Sequence, residues 1–129
     1  PVSIEEAKRT SRYGQRLDPF TKTRRFHEGD DFSGKIGVTV IATADGIVKN
    51  SRKYGSFGNY IEIDHGNGYV TAYGHLSKRK VKKGEKIVRG QKIGEIGNTG
   101  RSTAPHLHYE VQYKNKHTNP NKFYFDITT

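Results

Sequence analysis

A chain of 129 residues is enough for one domain with a modest core. With 31% hydrophobic residues, 15 glycines and no Cys, Met or Trp, it favours a turn-rich β protein over a helical bundle and excludes both disulfides and thiolate zinc sites. A formal charge of +10, from 23 Lys and Arg against 13 Asp and Glu, predicts attraction to a polyanion; nucleic acid, anionic lipid and bacterial wall polymers all qualify, and charge alone does not choose among them.

No stretch approaches the ~20 apolar residues that span a bilayer. The chain begins at Pro1 rather than Met, and no signal peptide is visible, so it reads as an excised or processed domain. Val2 to Arg9 carries Ser3 ahead of Glu5 and Glu6, a helix-start pattern on a short charged run. Residues 1–10 are therefore expected to be a linker or short helical remnant, with the domain running over 11–129. Ser11 to Pro19 reads as a surface loop, which Thr21 to Arg25 continues with basic charge.

Next come His27 and Asp31, four apart in Phe26-His27-Glu28-Gly29-Asp30-Asp31-Phe32. Gly29, Gly34 and Gly37 argue against a helix, but extended chain also leaves the two side chains on one side, so either conformation lets them chelate one ion. Val38 to Ala42 and Gly46 to Lys49 predict two strands around an Asp45-Gly46 turn. Tyr60 to Asp64 and Tyr69 to Tyr73 predict a hairpin closed by Gly66-Asn67-Gly68, whose second strand carries His75 to the end of the ladder. Val81 to Gly97 reads as short strands with tight glycine turns, Asn98 to Ala104 as a polar loop and Asn115 to Lys122 as another. Phe123-Tyr124-Phe125 reads as an aromatic patch closing the core.

Pro105-His106-Leu107-His108-Tyr109-Glu110-Val111 alternates with period two and predicts a strand. His106, His108 and Glu110 then share one face, and Leu107, Tyr109 and Val111 the core face. Five groups on three separated segments, His27 with Asp31, His75, and His106 with His108, each offer metal coordination or proton transfer. A catalytic zinc keeps three protein ligands and an open position; spacing alone does not say which three of the five bind it. Glu110 reads either as a partner holding an imidazole tautomer or as a solvent-facing glutamate. His65 reads as a surface turn residue and His117 as a residue of a polar loop, while Tyr54, Phe57 and Tyr60 read as groove wall or core.

His27-x-Gly29-x-Asp31, Tyr73-Gly74-His75-Leu76-Ser77 and His106-Leu107-His108-Tyr109-Glu110, together with Gly97 to Thr103, resemble the signature segments of the lysostaphin-like (LytM, M23) zinc metallopeptidases. The likeness runs from Ser11 through Pro120. It implies a compact antiparallel β-sheet of the LytM, or duplicated hybrid motif-like, kind, with glycine-rich hairpins and few or no helices. It implies one zinc ion per chain held by His27, Asp31 and His108, with His75 and His106 as the catalytic histidines flanking the attacking water. The implied activity is endopeptidase hydrolysis of peptide cross-links or stem peptides of bacterial peptidoglycan. The implied setting is the cell envelope, periplasmic or at the surface, or secretion, with the chain acting as a monomer.

The alternative within this fold is a catalytically silent domain that binds peptidoglycan or activates a wall amidase; the intact set of five residues speaks against it. The Lys-Gly-x-x-Val rhythm of Val81 to Gly97 is similar to biotinyl and lipoyl carrier domains, but the chain lacks their lysine-bearing hairpin tip. A nucleic-acid-binding barrel needs aromatics interleaved with Lys and Arg on an exposed face; here the aromatics fall mostly on the core side, so no specific nucleic-acid partner is expected. Lys78, Arg79, Lys80, Lys82 and Lys83 would draw in anionic wall polymers, or simply form a solvated face.

Overall fold

The computed structural model describes residues 7–11, 14–17, 24–27, 29–100, 104–114 and 116–118, the first three stretches and residue 118 as backbone only. In chain order the strands are β1 (Ala7–Ser11), β2 (Gly14–Leu17), β3 (Arg24–His27), β4 (Asp30–Gly34), β5 (Thr39–Ile41) and β6 (Gly46–Lys53). They continue with β7 (Asn59–Gly66), β8 (Tyr69–Arg79), β9 (Lys86–Ile87), β10 (Lys92–Ile96), β11 (His106–Tyr113) and β12 (Lys116–Thr118). Among the described residues the only helical element is the 3-10 turn Gly55–Phe57. The architecture is thus antiparallel β, as the glycine and turn content predicts.

One sheet runs in the order β1-β4-β11-β8-β7-β6-β9, with β10 bonded to β5 and β8 and β12 to β11, while β2 and β3 form a separate hairpin. The β7–β8 hairpin closes at Gly66-Asn67-Gly68, where all three residues take positive φ. Its side-chain alternation works as expected on β11, where Leu107, Tyr109 and Val111 are fully buried. Removing side chains of this size from water stabilises the fold by about 1.5–3 kcal/mol each. They join Ile61, Ile63, Tyr73, Leu76, Ile93 and Ile96 in one core.

Several segments depart from the expectations. Ala7–Ser11 is neither loop nor helix: it pairs with β4, so residues 7–10, expected to belong to a linker or helical remnant, lie in a strand of the main sheet. Gly14–Leu17 and, at Arg24 and Arg25, the start of Arg24–His27 were expected as loop, but the two segments pair with each other; their largely polar sequence carries no alternating apolar signal. The same applies to Lys116–Thr118, which pairs with β11. β5 and β6 do not form a hairpin about Asp45-Gly46; β5 pairs with β10, and β6 with β7 and β9. Phe123, Tyr124 and Phe125 lie outside the described residues.

Buried hydroxyls need partners. The Tyr109 hydroxyl lies 2.9 Å from Thr43 Oγ1, which lies 3.2 Å from the Tyr73 hydroxyl, itself 2.9 Å from Thr71 Oγ1. Thr71 Oγ1 is in turn 2.6 Å from His65 Nε2, while His65 Nδ1 donates to the Asp45 carbonyl at 2.7 Å. His65 is therefore a cross-link between the Asp45 turn and β8 rather than a bystander on a turn.

Burial is the leading influence on His65 and lowers its pKa from the usual 6.5. The unfolded chain takes up the proton first, so this contribution is complete above about pH 6.5 and is lost as pH falls through the folded-state value. The thermal midpoint should fall on acidification below about pH 6.5, and it should fall less in His65→Gln. Parallel falls in the two proteins, followed by scanning calorimetry, would show that His65 is not the titrating group.

Candidate active site

The site is built on three neighbouring strands. β11 lies between β4 and β8, with His108 opposite Asp31 on one side and opposite Gly74 on the other. This register brings Asp31 Oδ1 within 2.7 Å of His108 Nδ1, although the two residues are 77 apart in the chain. His106 lies two positions earlier on the same face, as period-two geometry requires, and its Nε2 is 3.9 Å from Asp31 Oδ1. The His106 ring is oriented from behind, Nδ1 donating to the Ala104 carbonyl at 2.8 Å.

His75 arrives from β8 at a break in the strand. Tyr69 to Gly74 pairs with β11, but Leu76 to Arg79 pairs with β10, and His75 sits at the changeover with φ of 63°. A non-glycine residue in the left-handed region costs about 1–2 kcal/mol, and such strain persists where surrounding structure enforces it, commonly at functional sites. Here the enforcing contact is the His75 Nδ1 bond to the Thr99 carbonyl at 2.7 Å. With Nδ1–H donating, the neutral ring presents Nε2 as an acceptor. Burial leads in lowering the His75 pKa below 6.5, with His106 and His108 adding to it against Thr99 and Asp31, so the ring is neutral at physiological pH. Its centroid lies 4.6 Å from that of His106 and 6.3 Å from that of His108.

Thr99 is itself fixed. Its hydroxyl donates to the Leu76 carbonyl at 2.7 Å and accepts from the Asn59 amide at 3.1 Å. The loop bearing it lies against the 3-10 turn so closely that a Cβ on Gly58 would stand 2.5 Å from Gly100 N, and one on Gly100 2.4 Å from Gly58 N. Both glycines have positive φ. This contact delivers Phe57 over Gly74, and its ring lies 6.0 Å from that of His108 and 6.5 Å from that of His75. Tyr54 stacks on Phe57 at 5.9 Å. These two aromatics therefore form a wall beside the imidazoles, whereas Tyr60 is buried beneath them.

The Gly29 of His27-x-Gly29-x-Asp31 has a steric reason. A Cβ there would fall 2.2 Å from the Tyr109 carbonyl oxygen and 3.0 Å from Glu110 Cγ. Only glycine lets the approach to β4 lie flat on β11. Glu110 shares the imidazole face as expected but is not solvent-facing: it is 3% exposed, with Oε1 2.9 Å from His108 Nε2 and Oε2 3.2 Å from His117 Nε2. His117, read from sequence as a loop residue, reaches the site's margin because β12 pairs it with Gln112. Burial pulls the His108 pKa down, but its bonds to Asp31 and Glu110 outweigh that and hold it up at about 9.

The donor chemistry suits a zinc ion. His108 Nδ1 faces Asp31, itself a candidate ligand, at 2.7 Å, while Nε2 bonds the buried Glu110 on the far side, so Nδ1 is the nitrogen placed to ligate an ion beside Asp31. Among the described residues no group of three metal-binding side chains assembles. The expected third ligand, His27, closes β3, where its backbone pairs with Gly14; its side chain lies outside the described residues.

A β-sheet of this order with histidines and a carboxylate gathered on one face defines a class, and comparison with known proteins identifies it. Residues 25–120 match the model for peptidase family M23, and the chain belongs to that family. It is 50% identical over 108 residues to the peptidoglycan DD-endopeptidase ShyA of Vibrio cholerae, an alignment covering 84% of this chain and 25% of ShyA. A DD-carboxypeptidase/endopeptidase Mpg of Neisseria meningitidis is 40% identical over 86% of the chain and 26% of its own length. The chain thus spans about a quarter of these relatives. Among solved structures, a zinc-containing peptidase from Vibrio cholerae superposes with a TM-score of 0.86 at 43% identity, over 92% of this chain and 37% of that one. The catalytic domain of lysostaphin from Staphylococcus simulans superposes at 0.78 with 32% identity, over 95% and 98%. The lysostaphin-like fold is therefore that of this chain.

Gly29→Ala should lower the thermal midpoint, because the clash is with the strand bearing His108. A variant melting like the wild type would show that β4 does not need the close approach.

Proposed function

We propose that this chain is the catalytic domain of a zinc-dependent endopeptidase that hydrolyses peptide cross-links or stem peptides of peptidoglycan, with His27, Asp31 and His108 as metal ligands and His75 and His106 as catalytic histidines. The observation that supports it most is the convergence of Asp31, His106, His108 and His75 from three strands onto one face. A zinc ion in that position would supply Lewis acidity, polarising a carbonyl and lowering the pKa of water toward ~7. His75, neutral and anchored through Nδ1 to Thr99, accepts a proton at Nε2. His106, anchored through Nδ1 to Ala104, turns Nε2 into the same space and orients the scissile group. The wall of Phe57 and Tyr54 limits access of water and positions the peptide.

Among the described residues no helix is long and apolar enough to cross a membrane. A peptidoglycan substrate supports action in the bacterial envelope, periplasmic or at the surface, or after secretion. The silent alternative, a domain that only grips the wall or activates an amidase, has the intact histidine set against it.

Chelation should abolish release of muropeptides from purified walls, and stoichiometric zinc should restore it. His75→Ala and His106→Ala should each lower turnover by about 10²–10⁴-fold, the usual worth of general acid–base catalysis. Mass spectrometry of the released fragments reads this directly; undiminished release by both variants, or by the chelated wild type, would remove the catalytic assignment.

The exposed Lys78, Arg79, Lys80, Lys82 and Lys83 lie on and after the end of β8. Attraction between exposed charges is screened beyond ~10 Å at 0.1 M salt. Hydrolysis of whole walls should therefore fall with added salt while that of a small neutral peptide holds. Equal salt sensitivity of the two substrates would eliminate steering by this run.

A further inference from the structure

Glu110 is a buried carboxylate whose two oxygens go to His108 Nε2 and His117 Nε2. A buried carboxylate must be paired, and these pairings are asymmetric in position. His108 has its other nitrogen on Asp31, inside the site. His117 belongs to β12, with a side chain 35% exposed. A Cβ on Gly29 would stand 3.0 Å from Glu110 Cγ, so the chain leading into β4 packs against the Glu110 stem.

We infer that Glu110, held by His117, is a positioning residue that fixes the proton of His108 on Nε2 and so commits Nδ1 to metal ligation. This deepens the proposed function and rests on its assignment of His108 as a ligand. A carboxylate accepting from the far N–H of a ligating imidazole fixes ring orientation and tautomer and raises the ring's basicity; loss of such a partner typically costs 10- to 100-fold in metal affinity. The arrangement also explains why the β11–β12 hairpin, remote in sequence from Asp31, bears on the site. The pairing of Gln112 with His117 puts His117 across from the strand carrying both Glu110 and His108. His117 in turn keeps the second carboxylate oxygen occupied, so that Glu110 does not rotate away from His108.

The test uses zinc affinity and nitrogen spectroscopy rather than turnover. Zinc binding to the wild type, Glu110→Gln and His117→Ala is measured by competition with a chelating dye, and imidazole ¹⁵N spectra of the zinc-loaded chains identify the nitrogen that carries the proton. Glu110→Gln should weaken zinc binding by about 10- to 100-fold, and His117→Ala should weaken it less. The wild-type spectrum should show the His108 proton on Nε2. Equal zinc affinity in wild type and Glu110→Gln would overturn the inference. So would a wild-type His108 that carries its proton on Nδ1, a result that stands even if Glu110→Gln fails to fold. A wild-type chain that takes up no zinc would instead overturn the proposed function, and this inference with it.

Discussion

The pairing of β11 with β4 on one side and β8 on the other is the constraint on which the rest depends. Antiparallel register is all or nothing: a slip of one residue turns every side chain to the opposite face. Here a slip would carry His106 and His108 into the core and expose Leu107, Tyr109 and Val111, each now fully buried. Burial of those three side chains therefore stabilises the placement of His108 opposite Asp31 as much as it stabilises the domain. The same ladder puts Gly74 beside His108, so that His75 follows immediately at the point where β8 changes partner.

Around that ladder the site is held by contacts that tolerate little adjustment. Gly29 against the Tyr109 carbonyl, and Gly58 against Gly100, bring backbone to within distances that exclude any Cβ. The second contact secures Thr99, whose carbonyl holds His75 in a left-handed conformation. The strain at His75 is thus offset by the loop clasp. Packing below and hydrogen bonding behind leave His75 and His106 each with Nδ1 bonded to a backbone carbonyl and Nε2 turned inward, the preorganisation that proton transfer at a fixed point requires.

Sequence alone made the face-sharing of His106, His108 and Glu110 legible, because period-two alternation with aromatic and β-branched partners has few other interpretations. The Gly66-Asn67-Gly68 hairpin was equally readable from its turn residues. What could not be read was pairing without a hydrophobic signature: Ala7–Ser11, Gly14–Leu17 and Lys116–Thr118 are strands by backbone bonding, and their polar side chains resemble loop. His117 was missed for that reason, since only the β11–β12 register brings it to Glu110. The partner of β5 was likewise unreadable, since an Asp45-Gly46 turn signals a hairpin while β5 is bonded across the sheet to β10. The left-handed φ of His75 has no sequence signal, because it arises from a tertiary bond to Thr99.

Convergence of His27, Asp31 and His108 on one ion is tested most directly by anomalous diffraction at the zinc absorption edge from crystals of the zinc-loaded chain. The expected result is a single peak, at about 2.0–2.2 Å from an imidazole nitrogen of His27, from Asp31 and from His108 Nδ1. A peak held by other side chains, or crystals grown in zinc with no peak between Asp31 and His108, would contradict it.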